Sequence, residues 1–280
     1  NAQNQWVSGS GLNSLQTTSN TASGEYSTAM GRDTEASGNY STAMGRNTEA
    51  SAFNSTAMGS YATASGDVST AMGYDTTANG ASSTAMGYST WASGASSTAM
   101  GYTTEANGDY STAMGYTTEA NGDYSTASGF SSTASGFSST AMGGNTTASG
   151  TYSTAMGLLT TASDFGSTVI GQFNNSLSSI TSGGSATSFN LANTAFVIGN
   201  GTGAGAGASD AFKVMFNGNT TVSGSVTATE FIGDGSLLTN LPTGGDSPFS
   251  PNDTDSSGIQ SATNTASGTY STAMGKNTTA

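Results

Sequence analysis

Asp253-Thr254-Asp255-Ser256-Ser257-Gly258 places oxygen-bearing side chains at alternate positions ahead of a glycine, the spacing of the first half of a calcium loop. Asp253, Asp255 and Ser257 would supply the ligands, and Asn264 stands where such a loop expects a bidentate Glu. Ordinary solvated linker carboxylates are the competing reading of these residues. Elsewhere the side chains that could do chemistry come in series. Glu35, Glu49, Glu105 and Glu119, and likewise Asp67, Asp109 and Asp123, recur at multiples of fourteen. Aligned carboxylates could hold cations or a basic ligand, or form a solvated face that discourages aggregation. Paired carboxylates also perform glycoside hydrolysis, but no pair here is singled out. Tyr74, Tyr88, Tyr102, Tyr116 and Phe130 share the interval, and Tyr26, Tyr40, Tyr110, Tyr124 and Tyr152 form a second series. Such rows can stack on sugar rings or anchor a protein partner, or stack on themselves and stabilise the chain. Thr28, Thr42, Thr56 and their successors form a row of the ice-binding kind, shared with bulky Met.

Composition removes most other chemistry. With no His and no Cys, the chain lacks the commonest transition-metal ligands, thiol chemistry, disulfides and any Ser-His-Asp triad. It is therefore expected not to be an enzyme and to need no cofactor beyond the calcium candidate. A net charge of −13 argues against nucleic acid or anionic lipid as partner. No stretch approaches the roughly 18 apolar residues of a membrane span, so no direct insertion is expected. Charged residues make up 8% of the chain and only 3 residues are Pro, unlike most disordered chains. The abundant Ser, Thr, Gly, Ala and Asn are thus expected to be ordered. The start at Asn1 reads as a processed or partial product.

The elements that position these series follow from a repeat. Ala holds every seventh position from Ala22 to Ala162, usually with Gly two residues later. The halves differ, Ser27-Thr28-Ala29-Met30-Gly31 against Thr34-Glu35-Ala36-Ser37-Gly38, so the unit is fourteen. A coiled coil is rejected: it wants two large apolar residues per heptad, and each Gly costs a helix about 1 kcal/mol. The alternative is a parallel β-solenoid with two short strands and Gly-assisted turns per coil. Strand alternation then places Ser27, Ala29 and Gly31 inside a narrow roll, with Thr28 and Met30 outside. Ser37, Ser51, Ser65, Asn79 and Ser93 would face outward on the opposite strands. About ten coils at roughly 4.8 Å each would make a rod of roughly 50 Å. One face would carry Met30, Met44, Met58, Met72, Met86, Met100 and Met114, a lapse at Ser128, then Met142 and Met156. An apolar stripe that long asks for cover, and copies of the same chain are the simplest source.

Tyr110-Ser111-Thr112-Ala113-Met114-Gly115, followed by Thr118-Glu119-Ala120-Asn121-Gly122, resembles the head repeats of YadA-like trimeric autotransporter adhesins. The likeness covers 22–171 and returns at 263–280. It implies a left-handed parallel β-roll, a homotrimeric head on a fibrous stalk, and adhesion to host, matrix or glycan surfaces. That family offers no catalytic residues to carry over. Thr-Ala-Met replaces its favoured Val-Ala-Ile, which implies a softer, Met-lined interface between chains. The segment Phe231-Ile232-Gly233-Asp234-Gly235-Ser236-Leu237-Leu238-Thr239-Asn240-Leu241-Pro242 is similar to an element of tail fibres and bacterial surface fibres, with Leu237 at a usual Gly.

The chain thus divides into an N-terminal cap or tail (1–21), β-roll head (22–171), β-rich collar or neck (172–242), linker (243–262) and the start of a second roll (263–280). Within the neck, Asn217-Gly218 marks a hairpin turn. Since the second roll stops in mid-coil, a longer biological chain is expected. The expected fold is all-β, and the expected role is a structural and adhesive segment of an extracellular or cell-surface homotrimeric fibre. A phage tail fibre in a virion, and an ice-binding solenoid, are the alternatives.

Overall fold

A computed structural model describes residues 6–227 and 229, apart from 12, 18 and 176–183, together with the backbone of three two-residue strands at 250–251, 259–260 and 272–273. The chain divides into two compact units, residues 1–226 and 227–280. The first is an all-β parallel solenoid. Five-residue strands, from Thr28–Arg32 to Thr168–Gln172, alternate with two-residue strands, from Thr21–Ala22 to Thr161–Ala162. The short strands form an eleven-stranded sheet and the long ones the body of a sixteen-stranded sheet, giving eleven coils where the spacing suggested about ten. Register is strict. Thr70, Ala71, Met72, Gly73 and Tyr74 lie beside Thr84, Ala85, Met86, Gly87 and Tyr88, so a residue fourteen positions on is a lateral neighbour.

The interior is built from side chains of one or two heavy atoms beyond Cβ at most. Every Ala of the seven-residue series is fully buried, flanked by buried Ser or Thr such as Ser27, Thr34, Ser41 and Thr48. Thr28 and Met30 lie outside and are half-buried. Gly31 departs from the expectation, since it is exposed rather than inside. Its φ of +126° bends the strand end away from simple alternation, a conformation that only glycine adopts without strain. The inward glycine is Gly38, on the other half-repeat; there a Cβ would meet the Ala52 carbonyl oxygen at 1.9 Å. The inward glycine opens one turn of the coil, its carbonyl accepting from the amide three residues on, as Gly38 does from Ser41 at 3.2 Å. The residue in the left-handed region is usually not glycine: Asp33 and Tyr40 in one coil, Asn47 and Asn54 in the next, with Gly166 taking the place in the last coil. Hydrogen bonds offset the strain: the Tyr40 amide donates to the Glu25 carbonyl at 2.7 Å, and Asn54 to Asn39 at 2.8 Å.

The ends of the roll are closed by polar side chains. Asn20 and Asn174 occupy the first and last places of the buried Thr34 column. Asn20 accepts from the Thr34 amide at 3.0 Å and donates to the Gly31 carbonyl at 3.0 Å. Asn174 accepts from the Thr161 amide at 2.7 Å and donates to the Thr161 carbonyl at 3.1 Å. Each amide stands in for the peptide group of a coil that is not there. Before the first coil, Trp6–Ser8 pairs antiparallel with Leu15–Thr17, which joins the sheet beside Thr28. After the last, Thr194–Asn200 adds a parallel strand that repeats the roll's register, Val197 beside Val169 and Ile198 beside Ile170. The short-strand sheet has ended by then, and the interior residue changes from Ala to the larger Val169 and Val197. Strands Asp210–Met215 and Thr220–Val222 follow as an antiparallel hairpin around Asn217-Gly218. Phe189 packs edge-on against Phe216, ring centroids 5.2 Å apart.

Asp164 fastens this closing strand. It replaces the inward glycine in the last coil, is buried, and accepts the Thr194 amide hydrogen at 2.7 Å. Burial pushes its carboxyl above the ordinary value, against the lowering influence of the Thr194 hydrogen bond and the Lys213 charge. The folded state therefore holds this proton to higher pH than the unfolded chain, and stability from this group falls as pH rises from the ordinary to the raised value. In the second unit, Ser250–Pro251 pairs antiparallel with Ile259–Gln260, which pairs parallel with Thr272–Ala273. Two of these strands fall in the segment read as linker.

Two outcomes are expected from equilibrium unfolding. Gly101→Ala, whose Cβ would stand 2.0 Å from the Gly115 oxygen at φ +132°, should cost at least about 2 kcal/mol. Gly144→Ala, which meets nothing nearer than a Leu158 δ-carbon at 3.2 Å, should change stability by less than about 0.5 kcal/mol. At Asp164, Ala should cost about 1–3 kcal/mol by orphaning a buried amide. Asn keeps the acceptor, and its stability relative to the parent should rise as pH increases from acid to neutral.

Candidate functional site

Among the described residues the coil period spreads each series along the roll instead of gathering it in one cleft. Tyr74, Tyr88, Tyr102, Tyr116 and Phe130 occupy the last place of consecutive long strands. Their rings are nearly parallel, with centroids 4.9, 4.9, 4.8 and 5.2 Å apart along the row. A side chain at that place projects outward, and in-register neighbours put the next ring above it. Both faces of Tyr88 and Tyr102 are thus covered by other rings. A sugar can meet only their edges and hydroxyls there, whereas the outer face of Phe130 looks over Gly144, where the row lapses.

The second aromatic series is less continuous. Tyr26 stacks on Tyr40, and Tyr110 on Tyr124, with centroids 5.2 and 5.0 Å apart. Between and beyond these pairs the contacts turn edge-on through Phe53, Phe137 and Phe165. Sequence reading missed those three because each stands one residue before the Tyr position. It also missed Tyr61, whose ring lies edge-on to Tyr74 at 5.8 Å and under the Arg46 guanidinium at 5.1 Å.

The Met row forms as one line. Met72 lies beside Met86, Met86 beside Met100, and Met100 beside Met114, with Met30, Met44, Met58 and Met156 at equivalent places. All are half-buried in the single chain except Met142, which is 40% exposed and has Ser128 on one side. The Thr row flanks the Met row and is half-buried with it.

The aspartates of the carboxylate series have a backbone role that their spacing did not reveal. Asp67 accepts from the Phe53 amide at 3.2 Å, Asp109 from Ala95 at 2.8 Å and Asp123 from Asp109 at 3.0 Å. Each caps an exposed amide one coil back, as Asn39 does for Glu25. Glu105 and Glu119 lie side by side. Asn107 donates to Glu105 at 3.1 Å and Asn121 to Glu119 at 3.0 Å, which moderates the like-charge contact. Among the described residues no three acidic side chains are grouped to hold a metal ion. Asp253, Asp255 and Ser257 lie outside the described residues, as does the element at 231–242. A cleft of about 140 Å³ at the end of the roll is lined by Leu159, Thr161, Phe173, Asn174, Ala204, Gly205 and Ala208. It presents no titratable group. Among the described residues no helix is long and apolar enough to cross a membrane.

The family model of the YadA head domain repeat matches residues 22–48, 50–76, 78–104, 106–132, 134–160 and 262–280. That is more than half of the chain, which therefore belongs to the YadA head repeat family. Each matched block in the roll spans two coils. Such repeats are typical of trimeric autotransporter adhesins, a structural rather than enzymatic family. No curated protein matches the chain.

The aromatic row is expected to serve the roll itself. Tyr102→Ala removes two stacked contacts and should lower stability by roughly 1–3 kcal/mol, while Tyr102→Phe should be nearly neutral; thermal unfolding of both variants checks this.

Proposed function

We propose that this chain is a structural and adhesive segment of an extracellular, cell-surface homotrimeric fibre, without catalytic activity. The observation that carries the proposal is the in-register Met row, half-buried on a single chain and flanked by Thr. A row of flexible thioether side chains covers well when another surface packs on it, and an apolar line of this length, broken only at Ser128, is unusual on a monomer. Family membership supports three copies as the source of the cover. With Met30, Met44, Met58, Met72, Met86, Met100, Met114, Met142 and Met156 turned toward partner chains, the aromatic rows and the capped carboxylates would remain for the outside. Identical rungs repeated along three chains would bind a host, matrix or glycan surface through many weak contacts that add by avidity.

Light scattering on residues 1–280 tests the assembly. The expected mass is three times the 27.5 kDa of one chain. Met86→Asp with Met100→Asp should shift it toward monomer, since two charges would be buried unpaired. A stable monomer in the parent chain would overturn the trimer and leave the Met-Thr face open to another surface, ice included.

A further inference from the structure

We infer that the row Tyr74–Tyr88–Tyr102–Tyr116 is a site of oxidative cross-linking, in which neighbouring coils become joined by dityrosine bonds when the chain meets a one-electron oxidant such as a peroxidase with peroxide. The three successive ring pairs are held 4.8–4.9 Å apart at interplanar angles of 10°, 6° and 3°. The rings are not buried: Tyr74, Tyr88, Tyr102 and Tyr116 are 42–45% exposed. Here the backbone register fixes each phenol beside the next, so two phenoxyl radicals formed on neighbours are already in contact.

The step balances as follows. Each of two phenols loses one electron and its hydroxyl proton, and two equivalents of oxidant are reduced. The two radicals join through a carbon–carbon bond between ring positions ortho to the oxygens. The hydrogen on each joined carbon then moves to its oxygen, which restores both phenols. The net change is one C–C bond formed, two C–H bonds broken, and two protons and two electrons released. The rings must tilt from parallel stacking to bring the ortho carbons together, and the solvent-facing edges leave room for that. The product would be a covalent rung between residues fourteen apart, closing a loop that resists local opening of the coil.

The full chain is treated with a photo-activated metal tris-bipyridyl complex and persulfate, a small oxidant that reaches all exposed phenols. Dityrosine fluorescence is recorded, and linked peptides are mapped by mass spectrometry. Links 74–88, 88–102 and 102–116 within one chain are expected, with 26–40 and 110–124 from the other stacked pairs. They should exceed any link involving Tyr152, which contacts only Phe rings, or the edge-on pair Tyr61–Tyr74, by roughly tenfold or more. Tyr88→Phe with Tyr102→Phe should abolish the links of the row and preserve 26–40 and 110–124. The mapping in the parent chain stands even if that variant folds poorly. Tyrosine oxidation without dityrosine, links spread evenly over all exposed Tyr, or links mainly between chains would each overturn the inference. The first two outcomes leave the trimeric and adhesive reading untouched, and links between chains would overturn this inference without opposing that reading.

Discussion

Backbone carbonyls of successive coils come so close at the inward glycines that a Cβ on Gly24 would stand 2.0 Å from the Gly38 oxygen, and the columns between them hold Ala with no exposed surface. The space between the two sheets admits a methyl group or a small hydroxyl. That limit governs the rest of the molecule. A core of methyls buries little apolar area per coil, so cohesion must come from what repeats at right angles to it. The sources are the parallel backbone ladder, the amide caps of Asp67, Asp109 and Asp123, and the stacked rings. Nothing larger than Thr can point inward along the roll until the short-strand sheet ends and Val169 and Val197 take over.

Much of this was legible because the constraint is periodic. An unbroken seven-residue Ala series can satisfy only a narrow interior, and the difference between its halves fixes the coil at fourteen. The two kinds of glycine were not separable, since Gly31 and Gly38 each follow Ala by two residues. One is required by its φ and the other by the oxygen in front of it, and spacing carries neither fact. The left-handed turn residues were hidden for the opposite reason. Tyr40 and Val68, with φ of 60° and 61°, are poor choices for that region. They are held there by the cross-coil hydrogen bond and the register of the neighbours, which overrule local preference. The caps Asn20 and Asn174 also looked like ordinary Asn in an Asn-rich chain. Only their place in the buried Thr column, one coil before its first member and one after its last, distinguishes them.

The candidate sites divide along the same line. Rows at the coil period were visible as rows, yet their chemistry depends on what each rung does to the next. The carboxylate series looks like a cation-binding strip until its backbone amides are counted as partners. The aromatic series looks like a platform for flat ligands until the rings are seen to cover one another. For the aspartates and the stacked rings alike, the neighbour fourteen residues away has already taken the interaction that a ligand would use, leaving edges, hydroxyls and the lapses in each row. Phe130 beside Gly144, and Met142 beside Ser128, are such lapses.

A solenoid of this kind does not readily build a catalytic cleft, because each outward place recurs one coil on, in the same orientation and about as far away as a hydrogen-bonded strand, and runs such as Tyr74 to Tyr116 fill that place with like groups. Catalysis needs unlike groups converging on one reacting atom, whereas a register of like groups yields parallel, equivalent contacts. Their combined strength grows with the number engaged rather than with the quality of any one. Loss of a single outward rung should therefore weaken a surface contact only slightly, while an atom added inside the roll must be accommodated by the coils on either side, and the inward glycine column admits a larger residue only at Ala52 and Asp164. The sequence is distributed accordingly: outward places vary among Arg, Ser, Tyr, Phe, Gly, Leu and Gln from strand to strand, and the inward Ala series runs from Ala22 to Ala162 without an exception.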